Sequence, residues 1–392
     1  MPKNKPPVPR KSAAAPEEDD EVMAQALADL ALLVVHHGAD KDELMRLVRN
    51  ALRKKNDDVL YGAIESLRYT DIDAWLHLRG KIEEASATLT LRRDGRPVEE
   101  IDAFLVPLFV SSTGGLKLAE TFQDDQAFEQ LRASFQQQGL ESADATVVLI
   151  SHAYDLDEID AISYSRLNDM LREAAATMNE KKLVDTPALA ASIGGWAGAF
   201  GPDDETMELR FLLGFSRKRA DDPFYLPPED EAAADAYFDA RMERFQRWTL
   251  DVMPLVKSCL TADPSAIDLN FLYQDLFFGA KQQAMEEFGM LAVMADINSA
   301  LAEHAVEPAD AEAIVAPAAV DEHLVLRVNL YRRGGTTPLV SAEKPLDPAA
   351  ELETEIADLC DALGTIGITS VSVAARFGAG GQPENVRPYS VD

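Results

Sequence analysis

Apolar positions recur at helical spacing through the first part of the chain, then switch to alternating or continuous runs. In "DKDELMRLVRNALRKK", Leu44, Leu47, Val48 and Leu52 fall on one face and Arg46, Arg49 and Arg53 on another, with Lys54 and Lys55 following. That is the 3.6-residue period of an amphipathic helix. "DDEVMAQALADLALLVVHHG" begins acidic and ends in His36, His37 and Gly38, as the helix dipole and a C-cap favour. The helical pattern continues through "DDVLYGAIESLRYTDIDAWLHLRGKIEEA", so residues 21–87 are expected to form a helical segment. Residues 1–20 before it, rich in Pro, Lys and Ala and closing on an acidic run, are expected to be a disordered arm.

Strands follow. "ATLTLRRDGRPVEE" predicts a strand and a turn at Asp94-Gly95. The stretch 102–120, "DAFLVPLFVSSTGGLKLAE", lines up with 321–343, "DEHLVLRVNLYRRGGTTPLVSAE": an acidic start, an apolar strand, a Gly-Gly turn, a short second strand and Ala-Glu. In both, a helix and another strand come next, "ATVVLISHA" or "ITSVSVAAR". A looser middle copy reads "MELRFLLGFSRKRADDPFYLPPE" as the hairpin, a long helix from Glu231, and "AIDLNFLY" as the strand. The expected fold is therefore α+β: the helical segment, then two or three divergent ββαβ (ferredoxin-like) units at 88–200, 201–310 and 311–392, joined by helices. Leu324, Leu326, Val328 and Leu330 share one strand face and Arg327, Asn329 and Tyr331 the other, which predicts a sheet covered on one side only. Pro107 inside its strand predicts an edge or a bulge. The closing run "FGAGGQPENVRPYS" reads as a tail.

Charge narrows the partners. The 37 basic and 68 acidic residues leave a net −31. A field of that sign disfavours nucleic acid and anionic membrane as general partners. The most apolar helical run, Val22 to Val35, contains Gln25 and Asp29 and is too short and polar to span a bilayer. Two cysteines suit a reducing compartment, and no secretory h-region is visible, so a cytoplasmic protein is expected.

Candidate chemistry is sparse. "SIGGWAGAFGPDDE" places Gly194, Gly195, Gly198 and Gly201 in the spacing G-G-x-x-G-x-x-G. A dinucleotide loop needs G-x-G-x-x-G between a strand and a helix, and here acidic residues follow, so the run is expected to be a connector. The histidines at 36, 37, 77, 152, 304 and 323 form no H-x-H or H-x-x-x-H pair. Cys259 and Cys360 lie on apolar helix faces and read as small core residues, and Met285, Met290 and Met294 as a packing face. The enzymatic candidate is "SHAYDLDEID", which gathers His152, Asp155, Asp157 and Glu158 at a strand end. There they would pair as acid and base or hold Mg2+, or else dress a helix N-terminus. Otherwise no cofactor and no resident metal are expected. The Arg46, Arg49, Arg53 face stands out against the acidic whole as a solvated face, an anion site or a salt-bridging surface.

"FLYQDLFFGAKQQAMEEFGMLAVMADINSALAEH", "LVLRVNLYRRGG", "EKPLDPAAELETEIADLCDALGTIGITSVSVA" and the closing "RPYS" resemble a bacterial family catalogued only as a domain of unknown function, found mainly in β-proteobacteria. The resemblance covers most of the chain after the arm. The family carries no assigned activity, so the resemblance implies a cytoplasmic bacterial protein and transfers no site residue. The function expected from these readings is a non-enzymatic regulatory or scaffolding protein that binds another protein or itself. The alternative is a small-molecule or divalent-cation-dependent enzyme or binder with its site at 152–158.

Overall fold

The computed structural model describes residues 18–112, 125–178, 207–261, 263–320, 323–378 and 380–389. The four-glycine run at 194–201 and the Gly-Gly turn with its second strand at 113–120 lie outside the described residues. The fold is α+β, as the sequence pattern predicts.

Four helices come first: α1 (Glu18–His37), α2 (Lys41–Lys54), α3 (Asp57–Arg68) and α4 (Ile72–Ala87). The helical segment expected over 21–87 is present, and within it α3 and α4 are separate because the Asp71 carboxylate accepts from the Ala74 amide at 2.8 Å and starts a new helix. Their shared core includes Leu44, Val48, Leu60, Leu67, Leu78 and Ile82, all with no more than 2% exposure. It closes over Tyr164, the first residue of α7 (Tyr164–Thr177), whose amino end is tied down by Asp57.

The first sheet is antiparallel with strand order β1-β2-β4-β3: β1 (Thr88–Arg93), β2 (Arg96–Ser112), β3 (Thr146–Tyr154) and β4 (Met207–Arg219). Asp94 and Gly95, both at positive φ, make the predicted β1–β2 turn. Along the β1 edge of β2 run two further strands, β5 (Ile267–Phe271) and β6 (Asp275–Leu276). Every residue from Ile101 to Val110 is buried. Ala103, Leu105 and Phe109 face a core with α7 and the first half of a long helix, α9 (Phe277–Glu303). Phe104, Val106 and Leu108 face α5 (Asp125–Gln137) and α8 (Glu231–Leu260). Helices thus cover both faces, unlike the one-sided layering expected. A continuous rather than alternating apolar run is what such burial requires.

The hairpin expected after Met207 is one strand, β4, in unbroken register with β2 from Glu99↔Arg219 to Ser111↔Met207. Gly214 within it makes no turn; it lies opposite Phe104 and admits that ring. Of the edge or bulge expected at Pro107, the structure has the bulge: Pro107 sits in a central strand beside an irregular partner. Its carbonyl accepts from the Leu272 amide (2.9 Å) in the gap between β5 and β6, where Leu272, Tyr273 and Gln274 bulge opposite Val106 and Pro107. The missing proline N–H therefore faces an interruption in the partner strand.

The second sheet has order β13-β10-β7-β8-β9. β7 (Ala311–Val320), β8 (His323–Arg332) and β9 (Val340–Pro345) form a meander, followed by α10 (Leu352–Thr365) and β10 (Val371–Val373), which runs parallel to β7. The β8–β9 hairpin, helix and strand stand where the repeat predicts them. Neither repeat closes as a ferredoxin-like unit: β3 pairs with β4 and β10 with β7, so neither returns to β2 or β8, the strand with which its repeat begins. The expected tail instead forms β11 (Arg376–Phe377), β12 (Pro383–Glu384) and β13 (Arg387–Pro388). Ala374 and Phe377 bury Ala316, Ala318 and Val325, and the Arg327 guanidinium lies 5.6 Å from the Phe377 ring, so the face expected to be wet is covered in part. Asn329 and Tyr331 on that face are buried as well. Cys259 and Cys360 are free thiols in the cores, and burial pushes the Cys360 thiol up to about 11.

The second half of α9 packs on this sheet through Val293, Ile297 and Leu301, with Met290 and Met294 beside them, while Met285 is exposed. One side chain stitches the parts together. Arg79 of α4 donates to Glu83 (2.8 Å), to Gln282 of α9 (3.0 Å) and to Asp347 after β9 (2.7 Å). Its side chain is only about a fifth exposed, so solvent screens these bonds incompletely. Arg79→Ala should cost about 1–2 kcal/mol in urea unfolding, and Arg79→Lys should restore little, because an ammonium lacks the fork. A loss below ~0.5 kcal/mol would show that the three bonds contribute nothing net.

Candidate functional site

The cluster at 151–160 forms where β3 ends. β3 bulges between Leu149 and Ala153, and His152 lies in the bulge. Its Nε2 is 3.1 Å from Glu158 Oε2, and its ring meets Tyr154 edge-on at 4.8 Å. Asp155 is the N-cap of α6 (Leu156–Asp160): its Oδ1 accepts from the Glu158 amide at 2.8 Å, and Glu158 Oε2 accepts from the Asp155 amide at 2.9 Å. This is a capping box. Burial alone would raise the Glu158 carboxyl. The His152 hydrogen bond, the Asp155 amide and the charges of His152 and Arg210 outweigh it and hold the carboxyl below its usual range. Asp157 is exposed on α6, and Asp160 pairs with Lys281 at 2.6 Å. The structure therefore brings His152, Asp155 and Glu158 together around the start of a helix and leaves Asp157 outside the cluster. Among the described residues no group of three or more His, Cys, Asp or Glu side chains is arranged to hold a metal ion.

The basic face of α2 leads elsewhere. About one turn of helix separates Arg46 from Arg49, and another separates Arg49 from Arg53, along one stripe held in place by Leu44, Val48 and Leu52 packed underneath. This stripe faces β1 and α7 across a cleft of about 490 Å³. From β1 come Thr88, Thr90 and Arg92, and from α7 comes Arg172. Five arginines and a single carboxylate, Asp42, line the cleft. Met45, Leu52 and Leu89 supply apolar surface. Lys55, from the same basic run, turns away to pair with Asp169 at 2.5 Å.

The guanidiniums are unevenly engaged. Arg46 is held by Glu43 through two bonds of 2.5 and 2.8 Å. Arg172 donates from Nε to Asn168 Oδ1 at 3.1 Å, and Asn168 is itself anchored by its Nδ2 on the Ala85 carbonyl at 3.0 Å. That relay fixes the Arg172 head with its two Nη groups left over. Arg92 donates to the Gly95 carbonyl at 3.1 Å, and Arg53 touches Asn50 Oδ1 at 3.4 Å. Arg49 has no hydrogen bond or ion pair among the described residues. So four of the five have no carboxylate partner there, in a chain where acids outnumber bases 68 to 37. Guanidiniums stay charged at any physiological pH, and an anion placed among them would offset repulsion that solvent only screens.

The cleft does not include His152, Asp155, Asp157 or Glu158, nor Arg327 or Tyr331. Sequence reading missed Arg92 and Arg172: each sits alone in its local context, and only the packing of α7 and β1 against α2 joins them to the stripe. Comparison with protein-family models, curated proteins and solved structures gives no match for the chain. No helix among the described residues is long and apolar enough to cross a membrane.

Proposed function

We propose that this is a non-enzymatic regulatory protein of the bacterial cytoplasm that takes an anionic small ligand in the cleft between α2, β1 and α7. One observation carries the reading: four guanidiniums with no carboxylate partner among the described residues line one cleft in a strongly acidic chain. The remaining lining fits recognition. Thr90 adds a hydroxyl beside the arginines, and Met45 and Leu89 give a ligand apolar contact. The volume lies within the range of small-molecule sites. The cleft joins the helical segment to the first sheet, so a bound ligand would set how the two are held, and a protein partner or second copy would read that state. Family membership, as the resemblance implies, belongs to the same proposal.

The test is a thermal-shift series with phosphate, sulfate, citrate and tripolyphosphate at constant ionic strength. At least one anion should raise the melting temperature of the wild type, because a ligand bound only by the folded state stabilises it by mass action. The same anion should leave the double variant Arg49→Ala, Arg172→Ala unshifted. Both residues are exposed, so the variant should keep the wild-type urea midpoint to within ~0.5 kcal/mol. Equal shifts in both proteins, or none in either, would remove the reading.

A further inference from the structure

We infer that the cleft is built for a phosphoanhydride chain, a di- or triphosphate, rather than for a compact anion; this rests on the anion-site reading above. The first argument is shape. From Arg46 to Arg53 the α2 stripe runs seven residues, about 10 Å at the rise of an α-helix. Arg92 from β1 and Arg172 from α7 face the stripe. A lone phosphate reaches one or two of these heads. A chain of phosphates laid along the stripe reaches most of them, each guanidinium taking two oxygens through its fork.

The second argument is charge. Four guanidiniums lack a carboxylate partner and Asp42 offsets one, which leaves a surplus of about three positive charges. A single phosphate group carries about −1.5 to −2 at pH 7 and neutralises roughly half of that. A chain of two or three neutralises all of it. An acidic peptide carries the charge too, but it spaces its carboxylates on flexible side chains, whereas the arginines here line one cleft from three elements. Met45, Leu52 and Leu89 add apolar surface beside the charged stripe, suited to a ring carried by the chain. Nucleoside triphosphates and inorganic polyphosphate share the recognised chemistry.

Isothermal titration of the full chain at fixed ionic strength decides it, with phosphate, pyrophosphate, tripolyphosphate, citrate, ATP and a short poly-glutamate peptide as probes. Affinity should rise about tenfold per added phosphate, the usual value of one charge-assisted contact. Arg53→Ala, at one end of the stripe, should weaken tripolyphosphate by about tenfold while leaving phosphate within ~threefold. ATP binding more tightly than tripolyphosphate would assign a nucleotide, and equal binding an inorganic chain; both support the inference. Phosphate or citrate binding as tightly as tripolyphosphate would overturn it while the anion site itself stands. Peptide binding without tripolyphosphate binding would overturn it in favour of an acidic protein partner. Absence of binding by every probe would sink the inference and the anion-site reading together.

Discussion

Glu141→Ala is expected to lower the stability of the folded protein by about 3–5 kcal/mol, because it leaves three buried donors without their acceptor. Glu141 is 5% exposed and lies just past α5. Its carboxylate accepts from Ser216 Oγ of β4 (2.6 Å), from the Tyr225 hydroxyl (2.7 Å) and from Gln274 Nε2 in the bulge between β5 and β6 (3.0 Å). Three segments distant in sequence thus share one acceptor. Alanine strands all three donors, and each buried unsatisfied donor costs about 1–3 kcal/mol before the site relaxes. Burial, and then the Glu141 charge, push the Tyr225 phenol well above the usual tyrosine range, so it stays a donor at any working pH. Glu141→Gln keeps an acceptor and most of the shape and should cost about 1–2 kcal/mol. Urea midpoints measure both, and an alanine variant within ~0.5 kcal/mol of the wild type would show that water replaces the carboxylate.

Gly214→Ala should cost about 3 kcal/mol through overpacking alone. A Cβ at this position would sit 2.2 Å from Phe104 Cζ and 2.7 Å from both Cε atoms. The ring cannot swing aside, because Phe104 is 3% exposed and packs on Phe135 with ring centroids 5.3 Å apart. The double variant with Phe104→Leu should therefore be more stable than the sum of the two single changes by ~1 kcal/mol or more, the coupling expected of residues in contact. Additive losses would mean that the glycine serves the backbone and not the ring.

Gly214 also shows where the sequence stops being readable. In "MELRFLLGFSRKR" a mid-run glycine looks like a turn, and its use as a seat for Phe104 depends on a strand 110 positions earlier in the chain. Local signals translated well. The α2 stripe, the Asp94-Gly95 turn and the long apolar run of β2 all follow from residues within a few positions of each other. Pairing did not, since nothing within the segment after α5 says that β3 will lie beside β4. The same divide runs through the cleft. The arginine face of α2 is visible in sixteen residues of sequence, whereas Arg92 and Arg172 join it only through tertiary packing. At 151–160 both readings, acid-base cluster and dressed helix start, were open from the sequence. The structure shows the capping box in atomic terms.

The two-sided burial of β2 has a consequence for how the chain is made. Leu105 leaves the ribosome about a hundred residues before its partner Leu213, and Leu108 still longer before Phe271. At a synthesis rate of about 5–20 residues per second, this run of buried positions waits on the order of 5–20 s for its first full-length strand partner. No hairpin with β1 hides it, since β1 stops opposite Asp102. The nascent protein thus carries a sticky ribbon with an unpaired backbone edge throughout that interval, and a cell producing it gains from shielding that edge until β4 emerges.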